Sequence, residues 1–105
     1  MNPNYTYFAD LAAEANIPAD GILSRTLHQA EGLKVILFGF SAGQELSEHT
    51  ASVPAIMHFI KGEADIAVGS DKYAVGPGAW VHMQPNLVHS VRTKTPLVML
   101  LTMLR

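Results

Sequence analysis

The sequence contains no cysteine among its 105 residues, and this absence excludes several kinds of site. Without a thiol there is no disulfide, no thiolate-bound zinc and no cysteine nucleophile. Charged residues are also scarce, at 15%, and the formal net charge is only −2. So small a charge provides no attraction for the phosphates of nucleic acid or for an anionic membrane surface. We therefore expect neither class of partner.

Long apolar runs and a secretion signal are missing as well. The longest apolar run, Leu97–Leu101, is far shorter than the ~20 residues of a membrane-spanning helix. Residues 1–20 combine neither a basic start nor an apolar stretch of signal-peptide length. The sequence therefore predicts a cytoplasmic protein.

Apolar residues, by contrast, are abundant at 49% of the chain, and they occur in short segments. A chain of this length is expected to form one domain that buries roughly 60–70% of its unfolded surface. The alanine- and leucine-rich segment Phe8–Ala15 predicts one short helix that ends before Pro18. From Gly21 onward the pattern changes, and we expect a β-domain over 21–105 on which the segment 1–20 packs.

Short apolar segments separated by turn residues predict nine strands in this domain. The predicted strands are Ile22–His28, Leu33–Ser41, Glu45–Thr50, Ala55–Ile60, Ala64–Val68, Lys72–Val75, Trp80–Met83, Ser90–Arg92 and Leu97–Leu104. Strands without long helices between them are typical of an antiparallel sandwich or a closed barrel. The last strand is apolar on both faces, which predicts burial on both sides.

Two spaced motifs run through the centre of the chain. In the first, five residues separate Gly43 from His49, and Ala51, Ala55 and Gly62 follow. In the second, five residues separate Gly78 from Gln84, and Asn86, His89 and Thr93 follow. These spacings resemble the two motifs of the cupin superfamily, with Asn86 in place of a turn glycine because asparagine tolerates left-handed backbone. The resemblance implies a mainly β fold: a double-stranded β-helix, or RmlC-like jelly-roll barrel, with a short N-terminal helix.

The resemblance also implies where a ligand would bind. Cupins hold a divalent metal (Zn, Ni, Mn, Fe or Cu) through histidines and a glutamate of these motifs, and His49 and His89 match two of those positions. Ala51 and Ala55 occupy the other two, and a methyl group binds no metal. Two imidazoles fall short of the three or four protein ligands usual for zinc. The sequence therefore supports two alternatives equally: a metal bound by His49 and His89, or no cofactor.

His58 and His82 are less expected, because each lies in an otherwise apolar segment. An unsatisfied polar group buried there would cost about 1–3 kcal/mol, so each ring needs a partner. The resemblance places their strands side by side, and we expect the two histidines to be cross-strand partners. Strand alternation from Ala55 favours an outward orientation, on a face with Trp80 that suits a dimer interface. A one-residue register shift would instead turn both inward and allow a four-histidine metal site.

Three functions are compatible with these residues. The first is a cupin-fold homodimer that binds a small molecule or a metal in the barrel through histidines. The second is a metal-dependent enzyme, of dioxygenase or isomerase type, with a rearranged all-histidine site. The third is a non-catalytic dimeric interaction or regulatory module that acts through its outer face. No nucleophile motif or phosphate-binding glycine loop supports hydrolase or kinase chemistry.

Overall fold

The computed structural model describes residues 4–105, in which one short helix precedes the strands of a mainly β fold. The helix is α1 (Leu11–Glu14), and the strands are β1 (Ile22–Ala30), β2 (Leu33–Phe40), β3 (Glu45–His49), β4 (Ala55–Lys61), β5 (Ala64–Val68), β6 (Asp71–Val75), β7 (Trp80–Met83), β8 (His89–Thr93) and β9 (Leu97–Leu104). Within residues 4–105, no helix has the length and apolar content needed to cross a membrane.

The strands form two antiparallel sheets. One has five strands in the order β1-β2-β9-β4-β7, and the other has four in the order β3-β8-β5-β6. The chain crosses from one sheet to the other after β2, β3, β4, β6, β7 and β8, which is the connectivity of a jelly roll. The jelly-roll fold expected from the motifs is thereby confirmed.

The hydrophobic core lies between the two sheets, and β4 shows how the alternation of a strand creates it. Ala55, Met57 and Phe59 are each at most 2% exposed, whereas the residues between them are partly exposed. Ile66 and Val91 of the smaller sheet belong to the same cluster. Burying an apolar side chain of this size contributes roughly 1.5–3 kcal/mol, so the contact between the sheets is the main source of stability.

The N-terminal helix is shorter than the predicted segment Phe8–Ala15, and its cap explains the difference. Asp10 accepts hydrogen bonds at Oδ1 from the backbone N–H groups of Ala12, at 3.1 Å, and of Ala13, at 3.4 Å. This cap starts the helix after Asp10, so Phe8 remains outside it. The helix ends at Glu14, because the next residue, Ala15, already has an extended backbone.

The segment that precedes β1 packs on the outer face of the five-stranded sheet. Arg25 of β1 donates to the carbonyl oxygen of Glu14 at 2.9 Å and to its carboxylate at 3.2 Å. Farther along, the backbone of Asn16 lies so close to Gly39 of β2 that a Cβ at position 39 would overlap the Asn16 carbonyl. Glycine is therefore required at position 39 for this close approach.

All strand ends agree with the sequence prediction to within two residues. β5, β7 and β9 have their predicted bounds. β8 was predicted as Ser90–Arg92 and extends one residue farther at each end, because it pairs with β3 on one side and β5 on the other. β1 continues to Ala30 through a bulge between Thr26 and His28.

Candidate functional site

A bulge in β3 determines where His49 points. Leu46 pairs with Val91 and His49 pairs with His89, so two residues of β3 lie opposite the single residue Ser90 of β8. Without the extra residue, positions 46 and 49 would face opposite sides of the sheet. The bulge returns His49 to the inner face that Leu46 shares, and it brings the ring beside that of His89.

The two imidazoles form a close pair. Their ring centroids are 4.0 Å apart and the ring planes are inclined at 59°. His89 is only 3% exposed, whereas His49 is partly exposed. The pair thus lies at the boundary between the barrel interior and solvent, where a ligand can reach it.

Hydrogen bonds to the backbone assign the tautomer of both rings. Nδ1 of His49 lies 2.8 Å from the carbonyl oxygen of Ser47, and Nδ1 of His89 lies 2.9 Å from that of Leu87. A carbonyl only accepts, so each Nδ1 carries the hydrogen in the neutral ring. The lone pair of each neutral imidazole is consequently on Nε2, which is available as a hydrogen-bond acceptor or a metal ligand.

The surroundings of His89 favour its neutral form. Burial lowers the pKa of His89 below its ordinary value, and the neighbouring His49 lowers it further. The hydrogen bond to the Leu87 carbonyl raises the pKa and offsets part of this effect. A neutral His89 offers an electron pair to a ligand, and it disfavours a cationic group of the ligand less than an imidazolium would.

The residues present do not fit the metal centre that the resemblance implies. Ala55 is 2% exposed in the core and contributes only a methyl group. Ala51 acts through its backbone, whose carbonyl accepts from the N–H of Asn86 at 2.7 Å. Among residues 4–105, no group of three or more His, Asp or Glu side chains is placed to hold a metal ion. His49 and His89 therefore supply two nitrogen ligands and no third.

The turn between β7 and β8 confirms the interpretation of Asn86. Its φ is 67°, in the left-handed region, and it is the single non-glycine residue with positive φ in the chain from residue 4 onward. The motif glycines Gly43, Gly62 and Gly78 have φ values of 75°, 90° and 93°. Both motifs are thus built on turns that need the backbone freedom of glycine or asparagine.

Thr93, at the last position of the second motif, has a structural role. It is 2% exposed, and its hydroxyl donates to the carbonyl oxygen of Ser41 at 2.8 Å and accepts from the N–H of Gln44 at 3.0 Å. These bonds hold the β2–β3 turn against the end of β8. Since β3 and β8 carry the two histidines, Thr93 helps to keep the pair in register.

His58 and His82 lie away from the pair, on the outer face of the larger sheet. His58 alternates with the buried residues of β4, and His82 is exposed. They are not direct partners as expected: His58 is opposite Trp80, and Ile56 is opposite His82. The His82 ring instead stacks on Trp80, with centroids 6.4 Å apart. The inward orientation required for a four-histidine site is not present.

One feature of the site was not found from the sequence. A groove of about 600 Å³ opens at the edge of the barrel where β6 and β7 each end a sheet. It is lined by Ile66, Val68, Tyr73, Ala74, Val75, Ala79, Trp80, Val81 and His82. Alternation along each strand predicts which of its residues face inward. It does not predict the order of the strands, and that order decides which strands lie at the sheet edges.

Of the comparisons with known proteins, only the comparison with solved structures finds matches. No protein-family profile matches the chain, and no curated protein matches it. A Streptococcus pyogenes protein of unknown function, SPY1581, is 28% identical with a TM-score of 0.83, over 100% of this chain and 92% of that one. A cupin superfamily protein from Desulfitobacterium hafniense is 23% identical with a TM-score of 0.85, over 99% and 95%.

A third solved structure agrees with these two. An RmlC-like cupin protein from Desulfovibrio desulfuricans is 22% identical with a TM-score of 0.83, over 95% of this chain and 97% of that one. The similarity thus extends over nearly the whole chain, including both sheets and both motifs. This chain has the cupin fold.

Proposed function

We propose that this chain binds a small organic molecule in its barrel, with Nε2 of His49 and of His89 accepting hydrogen bonds from the ligand. The observation that carries the proposal is the paired arrangement of two imidazoles whose Nδ1 atoms are both bonded to backbone carbonyls. That arrangement leaves Nε2 of each ring as the acceptor, and the backbone bonds fix the orientation of both rings. A ligand with an amino group or with two hydroxyls can donate to both, and each neutral hydrogen bond contributes about 0.5–1.5 kcal/mol.

The ligand set favours this binding function over the metal-dependent enzyme. A catalytic metal usually has three protein ligands, and this chain supplies two imidazoles, with alanines at the other two motif positions. His58 and His82 cannot complete the set from the outer face of the larger sheet. The barrel instead offers two acceptors beside apolar walls, which is the usual composition of a small-molecule site.

The proposal is tested by identifying the compounds that remain bound to the protein when it is purified from cells. We expect an organic compound to be extracted from purified wild-type protein and detected by liquid chromatography and mass spectrometry. The compound should be lost from the His49→Ala/His89→Ala double variant, because both acceptors are removed. The matched control is His28→Ala, which removes an imidazole of β1, a strand that carries neither the imidazole pair nor any lining of the groove, and should retain the compound.

The same samples distinguish organic from metal binding. Elemental mass spectrometry of tag-free protein should find no stoichiometric transition metal in the wild type. A stoichiometric metal that disappears in the double variant would contradict the proposal and support the enzyme. Identical organic extracts from the wild type and the double variant would contradict it as well.

A second candidate function is self-association through the outer face of the larger sheet. Three exposed apolar side chains lie on that face: Leu23 at 51%, Trp80 at 58% and Leu104 at 37%. Such residues on one face are typical of a protein–protein interface. This supports the expected homodimer and the non-catalytic interaction module, and it is compatible with ligand binding inside the barrel.

A further inference from the structure

The groove at the β6–β7 edge leads into the space between the two sheets. Ile66 and Val68 of β5 line it on one side, and Val81 of β7 lines it on the other. All three also pack in or against the hydrophobic core. The groove is therefore an opening of the barrel interior, and its volume of about 600 Å³ lies within the roughly 300–1,000 Å³ of small-molecule sites.

The chemistry of the lining indicates an uncharged occupant. Within residues 4–105, no Asp, Glu, Lys or Arg side chain lines the groove. A charged ligand would lose its hydration there without gaining an opposite charge, and that loss is costly. A neutral ligand avoids this cost and gains from contact with the valine and isoleucine side chains.

The aromatic residues at the rim of the groove indicate an occupant with an apolar ring. Tyr73 on β6 is 55% exposed and Trp80 on β7 is 58% exposed, so both aromatic rings are accessible at the opening. Trp80 stacks with His82, with centroids 6.4 Å apart and planes inclined at 26°, so the two rings are nearly parallel. Flat aromatic surfaces favour stacking with a second ring.

The groove is also close to the imidazole pair. Val68, one of its walls, is the cross-strand partner of His89. Directly opposed residues of neighbouring strands have Cβ atoms about 4.5–5.5 Å apart. A ligand that contacts Val68 in the groove is therefore beside the strand position that carries His89.

We infer that this groove is the binding site of a neutral small molecule with an aromatic or compact apolar ring and at least one hydrogen-bond donor. The ring packs between Tyr73 and Trp80 against the valines, and the donor is directed toward His89. This inference rests on the proposed function for the role of the imidazole. The location of the ring and its lack of charge depend only on the groove.

Benzyl alcohol and benzoate are suitable probes, because they share a ring and differ in charge. In a titration of ¹⁵N-labelled protein followed by NMR, benzyl alcohol should shift the amides of β5, β6 and β7 and the indole N–H of Trp80. We expect benzoate to bind at least about ten-fold more weakly, because its carboxylate finds no counter-charge. Equal affinities, or shifts scattered outside the groove, would overturn the inference.

Two variants separate the groove from the imidazoles. Tyr73→Ser should weaken benzyl alcohol binding about five-fold through loss of the ring contact, while Tyr7→Ser, an equally conservative change at a tyrosine outside the groove, should leave it unchanged. His89→Leu should also weaken it about five-fold, since one hydrogen bond is lost. If Tyr73→Ser weakens benzyl alcohol binding and His89→Leu does not, the groove is still the binding site, but the imidazole has no role in it. If neither variant weakens binding, the groove is not the binding site, whatever compound is extracted from the cell-derived protein.

Discussion

At the residue scale, the central feature is the coupling of two ionisable rings. His49 and His89 lie 4.0 Å apart between centroids, so a proton on one ring opposes a proton on the other. Both Nδ1 atoms are held by carbonyls of the residue two positions earlier, which orients the rings without any further side chain. The backbone itself thus supplies the positioning that a carboxylate often provides to a functional histidine.

This burial predicts a stability that depends on pH through His89. Because the folded state lowers the pKa of His89, the unfolded chain binds the proton more readily than the folded one. The free energy of unfolding should therefore be fully retained above the ordinary pKa of 6.5 and should fall as the pH decreases from there toward the lower pKa of the folded state. Urea denaturation between about pH 7.5 and about pH 5 measures this pH dependence. Carboxylates contribute little to it in that range, because their ordinary pKa values are lower.

The variant His89→Gln cannot titrate and should show a flatter dependence on pH than the wild type. His82→Gln is the control, because that ring is exposed and stacks only on Trp80. It should follow the wild-type curve. Equal slopes for the wild type and His89→Gln would mean that His89 does not contribute to the acid sensitivity.

At the scale of strands and turns, the pattern of short apolar segments was sufficient to predict the strands, and the resemblance of the two motifs predicted the jelly roll. The apolar pattern gave the bounds of β5, β7 and β9, and the spacing of glycines gave the motif turns with Asn86 among them. The bulge in β3 was not predicted, because an extra residue in one strand is defined only by its partner. For the same reason the partners of His58 and His82 were wrong, since register is a property of two strands.

Gly62, in the turn between β4 and β5, shows how a motif residue serves the fold. Its φ is 90°, and a Cβ there would overlap the carbonyl oxygen of Pro96. Gly62→Ala should lower the free energy of unfolding by at least about 2 kcal/mol, from backbone strain and the clash together. Gly76→Ala is the matched control, because nothing lies within 4 Å of a Cβ at that position. Chemical denaturation should show it within about 0.5 kcal/mol of the wild type, and an equal loss in both variants would contradict the argument.

At the scale of the whole molecule, the two functions proposed for this fold use separate surfaces. The imidazole pair and the groove open between the sheets, whereas Leu23 and Leu104 lie on the outer face of the larger sheet. Trp80 and His82 are close to both, since both line the groove and both lie on the strand β7 opposite outer-face residues of β4. Ligand binding and self-association are therefore separable by mutation if Trp80 and His82 are left unchanged.

Self-association is tested by the mass of the protein in solution. The molecule measures 45 × 31 × 21 Å, and a standard interface takes about 800 Å² from each partner. We expect light scattering at micromolar concentration to give the mass of a dimer for the wild type. Leu23→Ser/Leu104→Ser should shift the mass toward a monomer, because it removes two exposed apolar contacts of that face.

The control for this shift is Val88→Ser, which changes a side chain of similar character, 42% exposed, in the turn before β8. It should leave the mass unchanged, and both proteins should retain the benzyl alcohol affinity of the wild type because neither change lies in the groove. A monomeric wild type, or a dimer unaffected by the double change, would contradict association through this face. Either result would leave the barrel interior as the functional surface, since the binding site needs no residue from a second copy.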